Sequence, residues 1–172
     1  MANLSPTDEV PADTYDCFVN QFTMHVIYDV EAALYHSLHI LKLEGVLLIN
    51  FSCSVYYLSI IIDIPTYVPL FLYHGFTPIA VENLWRRVGL TETDYQLETY
   101  GNLFTGLAYQ MNMLTEELTN HELQHQDAHY PVLICVCVLK PAHWQAQPPD
   151  YREPWHPQGK VAVWSPKKGK RV

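Results

Sequence analysis

Seventeen consecutive residues without a charge, VLLINFSCSVYYLSIII from Val46 to Ile62, constrain this chain more than any other feature. Such a run has to leave water. A membrane-spanning helix needs about 20 predominantly apolar residues, and this stretch is interrupted by Asn50, Ser52, Ser54 and Ser59 and is rich in β-branched side chains. Those residue types favour strands, so the run reads as two buried strands joined by a short turn, with no membrane span. A second apolar run, VLICVCVL at 132–139, follows Pro131 and reads as another buried strand.

Helical spacing appears on either side of these runs. Phe18, Phe22, Val26, Val30, Leu34, Leu38 and Leu41 form one stripe, which predicts a long N-terminal helix stopped near Gly45. In GFTPIAVENLWRRVG, Thr77 is the expected N-cap, Pro78 the first helical residue and Gly89 the stop. TETD at 91–94 resembles a capping box. After it, Leu97, Tyr100, Phe104, Leu107, Met111, Leu114 and Leu118 step by three and four, which predicts a second long helix with a core-facing seam. The expected fold class is α+β: a single domain with an antiparallel sheet and two long helices. Residues 1–12 read as a flexible arm, 13–165 as the globular domain and 166–172 as a basic tail.

Charge and cysteine content narrow the function classes. The net charge of −8 excludes general nucleic-acid binding by the domain body. The basic residues Lys167, Lys168, Lys170 and Arg171 crowd the last positions and suit either an import signal or a solvated terminus. Cys17, Cys53, Cys135 and Cys137 show no metal or disulfide spacing, which predicts free thiols in a reducing compartment. With no basic-apolar leader at the N-terminus, the expected location is intracellular, cytoplasmic or nuclear.

One motif carries possible metal chemistry. His121, Glu122 and His125 match HExxH, in which two histidines one helical turn apart share a zinc ion and the glutamate polarises its bound water. His129 lies four residues further on. The seam extended past Leu118 places His121 and His125 on the inward face. Polar flanks (Thr119, Asn120, Gln124, Gln126, Asp127) set against this the reading of plain histidines near a helix end.

Two stretches resemble segments of autophagy-type E2 conjugating enzymes. YVPLFLYHGFTPIAVENLW (67–85) is similar to their strand, proline-containing loop and short helix. QDAHYPVLICVCVLKPAHW (126–144) is similar to their catalytic strand and the His-Pro-Cys that follows it. Here Lys140, Pro141 and Ala142 occupy that tripeptide, so the nucleophile is replaced by alanine and no thioester can form there. The resemblance implies a degenerate, E2-like pseudoenzyme: a non-enzymatic protein-interaction module without a cofactor, binding a protein partner such as a component of a ubiquitin-like system. Trp144, Tyr151, Trp155 and Trp164 are the expected partner contacts, since surface aromatics are common anchors. The alternatives are a zinc-dependent hydrolase using His121, Glu122, His125 and His129, and a nuclear regulatory protein carrying the basic import signal.

Overall fold

A computed structural model describes residues 10–53, 73–145 and residue 150. The first strand, β1 (Tyr15–Asn20), leads through a 3-10 turn at Met24–Val26 into helix α1 (Val30–His39) and then strand β2 (Leu41–Ser52). Asp29 starts α1 by accepting the Ala32 N–H on its carboxylate at 3.0 Å. A strand that crosses over through a helix returns parallel to its start, and β1 pairs with β2 in that sense, from Cys17 opposite Val46 to Asn20 opposite Ile49.

Helix α2 (Pro78–Arg87), strand β3 (Tyr95–Tyr100), helix α3 (Leu103–Gln110), the short helix α4 (Asn120–Gln124) and strand β4 (Leu133–Leu139) follow. The sheet order is β1-β2-β4-β3, with β4 antiparallel to both neighbours. The domain is therefore α/β with a mixed sheet, not the expected antiparallel one.

Strand alternation divides the sheet into two unlike faces. Leu47, Ile49 and Phe51 of β2 and Ile134, Val136 and Val138 of β4 point at α1 and α2 and are buried. Against them pack Leu34 and Leu38 of α1 and Val81 and Trp85 of α2, all fully buried. Phe51 meets Trp85 edge-on at 6.2 Å. Each such side chain contributes roughly 1.5–3 kcal/mol by leaving water. The opposite face carries Val19, Leu48 and Cys137, all exposed, and no described helix covers it.

Helix α2 has the boundaries its local signals predict. Thr77 caps it by accepting the Ala80 N–H, Pro78 opens it, and Gly89 follows with φ +87. VLICVCVL also forms a strand, but one buried on a single face, with Cys137 and Leu139 exposed. Both long helices are corrected. Phe18 lies in β1, Phe22 in the turn after it, Val26 in the 3-10 turn, and only Val30, Leu34 and Leu38 of the first stripe are α-helical. Gly45 is no helix stop but an interior residue of β2, where a Cβ would sit 2.9 Å from the Lys42 carbonyl.

The heptad seam is broken at Gly101 (φ +80): Leu97 and Tyr100 belong to β3, Phe104 and Leu107 to α3, and Leu114 lies beyond it. Tyr100, Phe104, Leu107, Met111 and Leu114 are exposed rather than core-facing. TETD forms a turn into β3, in which the Thr91 N–H and hydroxyl both donate to Asp94 at 2.7 Å. Among the described residues no helix is long and apolar enough to cross a membrane. The second half of the uncharged run, residues 1–9 of the N-terminal arm, Tyr151, Trp155, Trp164 and the basic tail lie outside the described residues, while Val10 of the arm packs against the core.

Candidate ligand-binding site at the strand ends

HELQH forms no metal centre in this fold. Helix α4 ends at Gln124, and His125 has already left it with extended backbone (φ −62, ψ 132). The two rings stack at 6.5 Å, and His121, His125 and His129 are all exposed rather than inward. Glu122, the expected general base, closes a capping box instead: its carboxylate accepts the Thr119 N–H at 2.8 Å and hydroxyl at 2.7 Å. Those bonds hold its carboxyl below the ordinary range, the reverse of what a base needs. Buried Asn102 then binds the carbonyls of Glu122 and His125, both at 2.8 Å, so the segment is tied down as a structural turn. Among the described residues no three His, Cys, Asp or Glu side chains are grouped to hold a metal.

The degenerate tripeptide also has a structural role. Lys140 is buried and donates to the Leu41 carbonyl at 2.6 Å and to Asp13 at 2.7 Å. Its ammonium lies 5.0 Å from the Trp144 ring. Trp144 donates its indole N–H to the Val88 carbonyl at 2.8 Å and packs 5.5 Å from Tyr35. Ala142 sits in the exposed turn between them.

The polar cluster that sequence reasoning missed lies where the parallel strands end. Asn20 and Asn50, both almost fully buried, close β1 and approach the end of β2. The Asn50 carboxamide oxygen accepts the Phe22 N–H at 2.8 Å, and the Asn20 oxygen accepts the Thr23 hydroxyl. Each oxygen is thus engaged, and neither NH₂ group has a hydrogen-bond partner among the described residues. Phe22 is held at φ +50, a left-handed conformation that a bulky residue adopts only under constraint.

Beside this turn, the His25 carbonyl accepts the N–H groups of Tyr73 and His74 at 2.8 and 3.3 Å, and burial pushes the His25 imidazole below its ordinary value. Tyr28 and Tyr73 meet edge-on at 5.4 Å. The one signal available in sequence was Asn50, a lone carboxamide inside the uncharged run.

From this turn a groove of about 250 Å³ runs across the uncovered face. Asn20, Asn50, Val19 and Leu48 line one end, and Glu98, Cys135 and Cys137 the other. Cys135 faces Glu98 across the β3–β4 pair. Burial, and then the Glu98 charge, push its thiol up, so it is not an activated nucleophile. The groove offers the Asn50 amide, a carboxylate and an apolar floor, which is equipment for binding a small polar molecule.

No protein-family model matches the chain, and no curated protein matches it. Solved structures do match. A SAM-dependent methyltransferase of Thermotoga maritima, described as a possible histamine N-methyltransferase, is 16% identical over 78% of this chain and 60% of its own, with a TM-score of 0.48. A SAM-dependent methyltransferase of Archaeoglobus fulgidus is 14% identical over 81% of this chain and 66% of its own, at 0.45. The [4+2]-cyclase SpnF is 16% identical over 82% of this chain and 55% of its own, also at 0.45. The chain therefore spans less than two thirds of the length of each.

The parallel β1–β2 pair is foreign to the antiparallel sheet expected with the E2 resemblance. The E2-like pseudoenzyme and the cofactor-free module with a ubiquitin-like partner fall with it, and the zinc hydrolase falls with the exposed HELQH turn; the basic tail on which the nuclear reading rested lies outside the described residues.

Proposed function

We propose that this chain binds a small ligand at the carboxyl ends of β1 and β2 and serves methyl transfer from S-adenosylmethionine. The observation that carries the binding site is the Phe22–Asn50 hydrogen bond, which holds a strained turn where two parallel strands end. In open α/β sheets, ligands settle outside the carboxyl ends of the strands. Backbone strain of this kind collects at functional sites. Methyl transfer is the activity two of the solved structures are named for; it sets the first ligand to test, since one fold supports many chemistries.

The groove fits only part of that cofactor. The Asn50 carboxamide suits a carboxylate, Glu98 suits an ammonium or hydroxyl group, and Val19 and Leu48 offer an apolar surface. No G-x-G-x-x-G occurs in the sequence, and about 250 Å³ lies below the usual range of ligand pockets, roughly 300–1,000 Å³. The described residues form one wall of a cleft and do not by themselves enclose the group, so no chemical step is assigned to it. Titration calorimetry with S-adenosylmethionine and S-adenosylhomocysteine tests the reading. Weak binding that Asn50→Leu abolishes is expected. A folded chain that binds neither, or binds both equally well as Asn50→Leu, rules it out.

A further inference from the structure

We propose that the groove selects a free α-amino acid with an apolar side chain: its carboxylate on the Asn50 amide, its ammonium on Glu98, its side chain over Leu48 and Val19. The inference deepens the ligand reading above and rests on its groove, independently of methyl transfer. Register sets three side chains in one row, since Asn50 of β2 and Glu98 of β3 both stand opposite Cys135 of β4, one from either side. Alternation turns that row to the face away from α1 and α2. Asn50 lines the groove, is only 9% exposed, and has its oxygen engaged by the Phe22 N–H, so its NH₂ group is the part left for a ligand. A nearly buried donor without a partner among the described residues calls for an acceptor. Glu98 offers the opposite polarity. Its carboxylate accepts the Tyr100 hydroxyl, which fixes its position, and no Lys, Arg or His among the described residues is paired with it.

Spacing identifies the compound. Side chains stand upright on a strand, so two strand spacings put the polar ends of Asn50 and Glu98 about 9.5 Å apart. Two hydrogen bonds of about 2.9 Å then leave about 4 Å between the ligand atoms they reach. That separation matches an ammonium and a carboxylate carried on one carbon, and it is too short for an amine and an acid at opposite ends of a chain. Cys135 lies between the two, and its thiol, kept protonated by burial, repels neither end. One row further on, Leu48 stands between Val19 and Cys137, all three exposed, and offers the apolar surface for the side chain. A groove of about 250 Å³ is small for a drug-sized ligand and suits a single amino acid.

The test is an NMR titration that follows the Asn50 side-chain NH₂ and the backbone amides of residues 96–100. The probes are L-methionine, 3-(methylthio)propylamine, which lacks the carboxylate, and 4-(methylthio)butanoate, which lacks the ammonium. Methionine is expected to shift both sets of signals, and each half-ligand to bind about tenfold or more weakly, the loss of one charged hydrogen bond. Glu98→Gln, at an exposed side chain, is expected to weaken methionine to the same degree. Tyr100→Phe, which frees the carboxylate it positions, is expected to weaken methionine and leave the butanoate unchanged. The proposal is overturned if the folded parent shows no shift, if either half-ligand binds as well as methionine, or if Glu98→Gln binds like the parent. S-adenosylmethionine that binds where methionine does not would remove this inference and leave the ligand reading. Methionine that binds where S-adenosylmethionine does not would remove methyl transfer and leave this one.

Discussion

The N–H of Phe22 and the side-chain oxygen of Asn50 are joined at 2.8 Å across 28 residues of sequence, so the turn after β1 is held by β2 as well as by its local Asn20–Thr23 bond. Replacing Asn50 with leucine leaves that N–H without its acceptor in a turn already at positive φ. A loss of about 1–3 kcal/mol is expected by urea denaturation, while Asn50→Asp, which keeps an acceptor, stays near the parent. Equal midpoints for Asn50→Leu and the parent would count against the anchoring role.

Lys140 and Asp13 form an unequal pair: the lysine is buried and the aspartate exposed. Asp13→Ala leaves an ammonium inside with the Leu41 carbonyl and the Trp144 ring but no counter-charge, whereas Lys140→Met removes the buried charge itself. Thermal melts at pH 7 are therefore expected to rank Asp13→Ala below Lys140→Met, and the opposite order would refute this account.

The same pair sets a pH dependence. The Lys140 hydrogen bond, and then its charge, hold the Asp13 carboxyl below its ordinary 3.8. A depressed carboxyl stabilises the fold above the unfolded value, and that contribution is lost as pH falls through the folded one. The stability gap between the parent and Asp13→Asn should be full at neutral pH and close below pH 3.8. A gap unchanged between pH 7 and strongly acidic buffer would contradict it.

Trp85 is fully buried, and its indole N–H has no hydrogen-bond partner among the described residues. Trp85→Ala is expected to cost about 3–5 kcal/mol from lost packing. Trp85→Phe removes the unpaired donor along with some of the ring, so the two changes partly offset and the cost should stay below about 2 kcal/mol. Chemical denaturation of both variants reads the difference; similar losses would show that the lone N–H carries no penalty.

Gly101 sits at φ +80, and a Cβ there would lie 2.8 Å from Val132 Cγ2. Gly101→Ala combines backbone strain with that clash, and a loss of more than about 1 kcal/mol is expected. A neutral substitution would mean that the β3–α3 junction relaxes freely.

What the amino-acid sequence determined by itself lies where local chemistry suffices. Thr77, Pro78 and Gly89 bound α2 through a cap, a preset φ and a positive φ, all within one short segment. The apolar runs likewise announced β2 and β4, because uncharged β-branched residues have few other places to go. Tertiary structure decided the rest. Phe18 shares a helical spacing with Leu34, yet Cys17 to Asn20 pair with Val46 to Ile49, and that distant ladder outweighs local periodicity. Leu97 to Leu118 read as one seam until Gly101, whose backbone bonds to Gln126 and Asp127, turned a single stripe into a strand and an exposed helix. The candidate site depended on the same kind of event. Asn20 and Asn50 are ordinary polar residues in sequence, and only the parallel crossover brings them to adjacent strand ends, where their oxygens are engaged and their amide donors left available.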